Sequence, residues 1–159
     1  KALTARIIAV DLNDFRLGLA EKFGAIPVHA GDEAGKVIRE LTADRGGADV
    51  LFEMSGAAVA YKSIFDYIRK EGRLIVVGNP SGEVPFNITK NIFLKGITIK
   101  GINGRRIWST WLHLASLITS KRLNILDIVT HRFPLEEYAK AFQQAMGDSG
   151  KVLFTFDQD

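Results

Sequence analysis

The chain has 159 residues, the length of one ordinary domain, and 47% of them are hydrophobic, which is enough to build a core. A net charge of +3 with scattered Lys and Arg argues against a nucleic-acid partner, and no apolar run is long enough to cross a membrane. The absence of cysteine excludes disulfides and cysteine-ligated zinc within these residues.

Strands and helices are predicted to alternate along the chain. Apolar runs rich in Val, Ile and Leu indicate strands at residues 6–12, 26–29, 49–54, 73–77, 97–102, 129–133 and 151–156. Amphipathic patterns predict helices at 14–23, to about 44 from a cap at Asp32, at 58–70, 107–120 and 135–146, with a short helical turn at 88–93. Gly24, the pair Gly46 and Gly47, and Gly72 are the predicted stops of the first three helices.

This alternation predicts an α/β fold of the Rossmann type, a doubly wound parallel sheet with helices on both faces. The chain starts at Lys1, in what is typical of a helix tail, and shows neither the first strand nor the Gly-rich loop of such a fold. In the strand order 3-2-1-4-5-6 the first strand lies between the second and the fourth. We therefore expect the C-terminal portion of a larger enzyme, and no complete sheet from these residues alone.

Two domains are predicted from the change of pattern near the end of the chain. Residues 1–124 have the pattern of an N-terminally incomplete NAD-binding domain. Residues 125–159 hold two strands around one helix, and we expect them to be a return segment that packs with a catalytic domain outside this sequence. No signal peptide is evident, so a cytoplasmic protein is expected.

An acidic residue at the end of the first predicted strand is the most informative position. In doubly wound folds an acid at the end of the second strand accepts hydrogen bonds from the adenosine ribose, and Asp11 has this place. A carboxylate would also repel a 2′-phosphate, which favours NAD over NADP. Spacing alone leaves open the alternative that Asp11 caps the following helix. Arg16, one turn into that helix, either contacts the adenosine or is a solvated surface residue.

Turns after the later strands are candidate ligand contacts, because ligands bind outside the carboxyl ends of parallel strands. Ser55 and Gly56 follow one strand, and Gly78 and Asn79 follow the next. Ordinary turn chemistry explains the same residues, so this signal is weak by itself. The apolar strand at 97–102 is predicted at a sheet edge, where it would pair with another subunit.

The histidines and the tryptophans do not indicate a site. His29, His113 and His131 lack metal-ligand spacing, and we predict no metal site within these residues. Trp108 and Trp111 share a helix with an apolar stripe, which is typical of a core or an interface.

Several stretches resemble the C-terminal portion of medium-chain, zinc-dependent alcohol dehydrogenases, and the resemblance runs along nearly the whole chain. The stretch VDLNDFRL at 10–17 is generic to that group. Sharper motifs are KGINGR at 100–105 with its Trp-containing helix, and THRF at 130–133. Further matching stretches are FEMSG at 52–56, IFLKG at 92–96 and GKV at 150–152.

The resemblance implies cofactor-binding roles for seven residues. It implies ribose contacts from Asp11 and Arg16, backbone contacts to NAD from a turn at 77–79, and contacts on the nicotinamide side from two residues after the edge strand. The residues concerned are Asp11, Arg16, Val77, Gly78, Asn79, Ile102 and Asn103. The family often has an aromatic residue where this chain has Asn103, which leaves the shape of the nicotinamide pocket open.

The resemblance also implies oxidation of the β-hydroxyl of L-threonine with NAD, in a parent enzyme that holds zinc through ligands outside this segment. No catalytic residue is predicted within the chain. The expected partners are a small-molecule substrate and further copies of the chain, paired through residues 97–102. Alternatives are a relative acting on a polyol, a non-catalytic nucleotide-binding or oligomerisation module, and an adenosyl-methionine-dependent transferase, which also places an acid after its second strand.

Overall fold

The computed structural model describes residues 5–156, and strands and helices alternate along this range. The strands are β1 (Ile8–Asp11), β2 (Ile26–His29), β3 (Ala48–Glu53), β4 (Ile68–Val76), β5 (Thr98–Gly101), β6 (Val129–Pro134) and β7 (Lys151–Thr155). The helices are α1 (Asp14–Lys22), α2 (Ala34–Leu41), α3 (Ala60–Tyr67), α4 (Ile88–Asn91), α5 (Ser109–Thr119) and α6 (Tyr138–Met146). The predicted helix tail at Lys1 lies outside the described residues.

All described strand pairs are parallel, which confirms the predicted α/β class. The strands form three sheets, with the orders β1-β2, β3-β4-β5 and β6-β7. Within the described range no ladder joins them into one sheet, as the sequence predicted. In the middle sheet Glu53 is level with Val76, and Val76 with Gly101, so three strands end side by side.

The chain divides into two compact units. One unit holds β1, α1 and β2 together with α5 and all later elements, and the other runs from α2 to β5. The predicted domain boundary between residues 124 and 125 stays a prediction.

The second unit has the larger apolar core. Helix α3 packs its apolar face on β4, and the Nζ of Lys95 donates a hydrogen bond to the carbonyl of Phe65 near the end of that helix. The core residues are Tyr61, Ile64, Phe65, Ile68, Leu74 and Ile97. In the first unit the buried apolar residues are Leu17, Val28 and Ala141.

Helix α3 ends earlier than the sequence predicts, and Gly72 does not stop it. The chain becomes extended at Ile68, which is buried in the core. The next residue, Arg69, binds Asp49 with an Nε–Oδ1 distance of 2.6 Å. Because of these two contacts, the helical conformation ends before residue 68. Residues 68–72 belong to β4, and Glu71 has a positive φ of 59°.

Helix α2 also differs from the prediction at both ends. Its N-cap residue is Glu33, with no capping side-chain bond, so the predicted cap at Asp32 is wrong. The helix ends at Leu41, and the hydroxyl of Thr42 donates to the carbonyl of Ile38 at 2.7 Å. Gly24, by contrast, stops α1 as predicted, with a φ of 83°.

Helix α5 buries none of its residues. The rings of Trp108 and Trp111 meet edge to face, with centroids 6.2 Å apart, and Trp108 is 70% exposed. The core interpretation of this aromatic stripe is therefore wrong within the described residues, and an interface stays a prediction. No helix in residues 5–156 has the length and apolar character needed to cross a bilayer.

The α3 core gives a prediction about stability. Phe65 is 3% exposed and packs on Phe86, with ring centroids 5.3 Å apart. We expect Phe65→Ala to lower the free energy of unfolding by about 3–5 kcal/mol, because it removes a large buried ring and leaves a cavity. Urea-induced unfolding measures this loss. Phe93→Ala is the matched control, since Phe93 is 76% exposed, and an equal loss in both variants contradicts the assigned core.

Candidate functional site

The turn between β1 and α1 holds Asp11, the first predicted site residue. Its Oδ1 accepts a hydrogen bond from the backbone N–H of Asn13 at 2.9 Å. The Oδ1 of Asn13 accepts from the N–H of Arg16 at 2.9 Å, so Asn13 is the N-cap of α1. The alternative that Asp11 caps this helix is therefore wrong. Within the described part of the chain, Oδ2 of Asp11 is left for another donor.

Contacts from the C-terminal tail support the same turn. The side-chain amide of Asn13 donates to Oδ1 of Asp148 at 2.9 Å, and the amide of Gln144 donates to the carbonyl of Asp148 at 3.0 Å. Both contacts lie within the first unit. They hold the N-cap residue in place next to Asp11.

Arg16 lies in the first turn of α1 and is exposed. Asp11 is paired in the sheet register with His29, the last residue of β2. The Nε2 of His29 lies 3.8 Å from Oδ1 of Asp14, and both side chains are more than half exposed. Asp11 and His29 therefore end the two strands side by side, and Arg16 follows in the first turn of α1.

The second unit brings two turns together at Glu53, the last residue of β3. One carboxylate oxygen accepts from the N–H of Ser55 at 3.0 Å and from its hydroxyl at 2.5 Å. The other accepts from the N–H of Gly56 at 3.1 Å and from the hydroxyl of Tyr61 at 3.2 Å. The side chain therefore holds the turn after β3 from inside.

The turn after β4 contacts the same residue through the backbone. The N–H groups of Val77 and Gly78 donate to the carbonyl of Glu53 at 2.8 and 2.9 Å. A Cβ on Gly78 would lie only 2.2 Å from the backbone nitrogen of Gly56 and 2.7 Å from Oε2 of Glu53. Glycine is needed here because the two turns touch through their backbones.

Ile102 lies next to the turn at residues 77–79. Its N–H donates to the carbonyl of Val76 at 2.9 Å, and its side chain is 45% exposed. Asn103 follows and is exposed. The structure therefore brings together five of the seven predicted residues in the second unit, namely Val77, Gly78, Asn79, Ile102 and Asn103. Asp11 and Arg16 belong to the first unit.

Glu53 and Tyr61 have shifted acidities. Burial alone would raise the pKa of Glu53, but the hydrogen bonds from Ser55, Gly56 and Tyr61 outweigh it and hold the pKa below its ordinary value. Burial, and then the charge of Glu53, raise the pKa of the Tyr61 phenol. Glu53 is therefore an anion, and Tyr61 a neutral donor, at neutral pH.

The role of Glu53 was missed in the sequence analysis. A signal was present, because a charged residue in a strand as apolar as residues 49–54 must find hydrogen-bond donors if it is buried. Ser55 and Gly56, two and three residues after Glu53, supply such donors. Its contact with the turn after β4 is tertiary, and no local pattern shows it.

The described residues contain no metal site, since no three His, Asp or Glu side chains between residues 5 and 156 come together. His131 bonds Thr130 through Nδ1 at 2.9 Å and stacks on Phe133, with ring centroids 6.4 Å apart. Its contacts are those of a structural residue.

The lowered pKa of Glu53 predicts a pH-dependent effect of Glu53→Gln. Since the folded-state pKa lies below the unfolded value, the carboxylate stabilises the fold above the ordinary value of 4.5, and this contribution is lost as the pH falls through the folded-state pKa. We expect the variant to be less stable by about 2 kcal/mol at neutral pH, because charge-assisted hydrogen bonds are lost.

Urea-induced unfolding at neutral pH and at steps below pH 4.5 measures the gap between the two proteins. The gap should shrink as the pH falls. Glu33→Gln makes the same change at an exposed site and should show little effect throughout. A gap that stays constant in acid contradicts the assigned ionisation of Glu53.

A family model described as zinc-binding dehydrogenase matches residues 1–120. L-threonine 3-dehydrogenase of Caldanaerobacter subterraneus is 40% identical over 153 residues, which are 94% of this chain and 44% of that protein. The L-threonine 3-dehydrogenase of Bacillus subtilis is 35% identical with the same coverage. The chain thus spans less than half the length of these curated relatives.

Solved structures agree with this result. The 2R,3R-butanediol dehydrogenase of Bacillus subtilis matches with a TM-score of 0.83 and 26% identity, over 96% of this chain and 44% of that one. An alcohol dehydrogenase of Thermotoga maritima matches with a TM-score of 0.80 and 31% identity, over 94% and 43%. The family match covers most of the chain, and the chain therefore belongs to the zinc-binding dehydrogenase family.

Proposed function

We propose that this chain is the cofactor-binding portion of an NAD-dependent, zinc-dependent dehydrogenase that oxidises the β-hydroxyl of L-threonine to give 2-amino-3-oxobutanoate and NADH. The observation that carries the proposal is the half-buried Asp11 at the carboxyl end of β1, with Oδ2 available in the turn before α1. The relatives with 35–40% identity are L-threonine 3-dehydrogenases, which supports this substrate.

Asp11 suits the adenosine ribose of NAD. An ionised carboxylate only accepts hydrogen bonds, and Oδ2 can take a ribose hydroxyl while Oδ1 stays bonded to Asn13. The same charge opposes the 2′-phosphate of NADP. Arg16 is exposed one turn further on, where its guanidinium can reach the adenosine.

The turns at the ends of β4 and β5 suit the nicotinamide end of the cofactor. The hydrogen bond from Ile102 to Val76 places the 77–79 turn beside Ile102 and Asn103. Gly78 has no side chain to keep a flat ring from the backbone. These residues would bind and orient the nicotinamide, which accepts a hydride when NAD is bound.

The proposed zinc dependence rests only on the family to which the chain belongs. The described residues do not fit a zinc ion, because they offer no cluster of ligand side chains. We propose that the zinc ligands belong to the part of the related dehydrogenases that this chain does not span. The residues of this chain would bind and orient the cofactor and would not contact the metal. Cytoplasmic location stays a prediction.

Strand β5 is the proposed contact between subunits. It lies at the end of its sheet, and all four of its residues are exposed. An edge strand offers unpaired backbone groups to a second strand. We propose that a second copy of the chain pairs there, which would give a homo-oligomer.

Oxidation of a diol is the second candidate function, because butanediol dehydrogenase matches the fold with a TM-score of 0.83. Steady-state formation of NADH by the protein expressed from its complete gene separates the two. We expect kcat/KM for L-threonine to exceed that for butanediol at least about tenfold, which is the discrimination that one unpaired polar group of a substrate can produce. A preference for the diol contradicts the proposed substrate.

The assigned role of Asp11 predicts a change in cofactor preference. Asp11→Asn removes the charge that binds the ribose hydroxyl and opposes the 2′-phosphate. We expect the Kd for NADH to rise about tenfold, the equivalent of a lost charge-assisted hydrogen bond, and the preference over NADPH to fall by more than that.

Fluorescence titration with both reduced cofactors measures the two constants. Asp14→Asn is the control, because it makes the same change at an 88% exposed side chain three residues away. An unchanged ratio of the NADH and NADPH constants in Asp11→Asn contradicts the assignment.

A further inference from the structure

Glu53 is a charged residue that the proposed chemistry does not use, yet it is only 4% exposed. Burying a carboxylate is costly unless donors surround it. Two backbone N–H groups and two hydroxyls donate to this one, from Ser55, Gly56 and Tyr61. So many donors on one buried side chain indicate a role that an apolar residue cannot fill.

All of these donors except Tyr61 belong to the turn directly after β3. The carboxylate folds back on the next three residues and fixes the N–H groups of Ser55 and Gly56, which would otherwise be free to turn outward. Gly56 has a positive φ of 69° in this arrangement. The shape of the turn therefore depends on the side chain of Glu53.

The turn after β4 rests on the one that Glu53 shapes. Its first two N–H groups bond the Glu53 carbonyl, and the Cα of Gly78 faces the backbone of Gly56 so closely that no Cβ fits. A Cβ on Gly56 would in turn meet the carbonyl oxygen of Asn79 at 2.7 Å. A shift of Gly56 must therefore displace Gly78 and Asn79.

Glu53 itself has no surface from which to touch a ligand. Its side chain is enclosed by its donors and by the two turns. An effect on a bound cofactor must pass through the backbone of residues 77–79, so its role is to position other groups.

We propose that Glu53 is a positioning residue that fixes the 77–79 turn for the nicotinamide end of the cofactor. The proposal rests on the proposed function, because it takes this turn as the contact to the nicotinamide. It carries a specific consequence. Loss of Glu53 weakens ligands that contain nicotinamide and leaves ligands with only the adenosine diphosphate ribose part unaffected, since their contacts are assigned to Asp11 and Arg16.

The experiment compares NADH with ADP-ribose as probes on the protein expressed from its complete gene. Dissociation constants come from calorimetric titration. In Glu53→Gln the Kd for NADH should rise about tenfold, the equivalent of about 1.4 kcal/mol, while the Kd for ADP-ribose changes less than about twofold. Glu33→Gln, the same change at an exposed site, should leave both constants unchanged.

Tyr61→Phe is the second variant, because it removes a single donor, 3.2 Å from Oε2, and keeps the ring in the core. It should raise the Kd for NADH about threefold, the equivalent of losing about half of one typical hydrogen bond, and leave ADP-ribose binding unchanged. It tests the same consequence should Glu53→Gln fail to fold.

The possible outcomes separate this proposal from the one it rests on. A wild-type protein that binds neither NADH nor ADP-ribose overturns both. A wild-type protein that binds both, with Glu53→Gln and Tyr61→Phe binding NADH as tightly, overturns only the role of Glu53. Equal weakening of NADH and ADP-ribose also overturns it, since that is the mark of general unfolding.

Discussion

The buried carboxylate of Glu53 is the interaction on which the candidate nicotinamide end depends. A charge with so little solvent contact must collect hydrogen bonds, and it collects them from the turn that follows its own strand. That turn then sets the position of Gly78 and Asn79, because the two backbones touch. Backbone contacts thus join the ends of three neighbouring strands.

The turn that holds Asp11 is organised differently. There the acid is half-buried, and a capping residue, Asn13, occupies the helix N-terminus in its place. Since Asn13 caps α1, no hydrogen bond reaches Oδ2 of Asp11 from residues 5–156. Glu53 accepts hydrogen bonds from four donor groups, whereas Asp11 accepts one among the described residues.

The sequence was sufficient for elements whose ends are determined locally. Strand β2 lies at the predicted residues. Gly24 stops α1 as predicted, because a glycine can adopt a positive φ without a tertiary partner. The end of α3 was predicted poorly, since it depends on a distant contact, that of Arg69 with Asp49. The same reason hid the role of Glu53, because its second contact comes from the turn after β4, more than twenty residues later.

The exposed faces of α5 and β5 could not be predicted for the same reason, because a local sequence pattern does not show what covers a face. The apolar stripe of α5 predicts a core or an interface, yet Leu112 and Trp108, the residue directly before the helix, are each more than two-thirds exposed. The four residues of strand β5 are exposed as well. Periodicity shows that a face is apolar, but it does not show which surface packs against that face.

We propose that the carboxylate of Asp11 binds the adenosine ribose of the cofactor. A crystal structure of the protein expressed from its complete gene, grown with NADH, tests it most directly. We expect an adenosine ribose hydroxyl within hydrogen-bond distance of Oδ2 of Asp11. A cofactor bound elsewhere, or a ribose with no contact to Asp11, would contradict it.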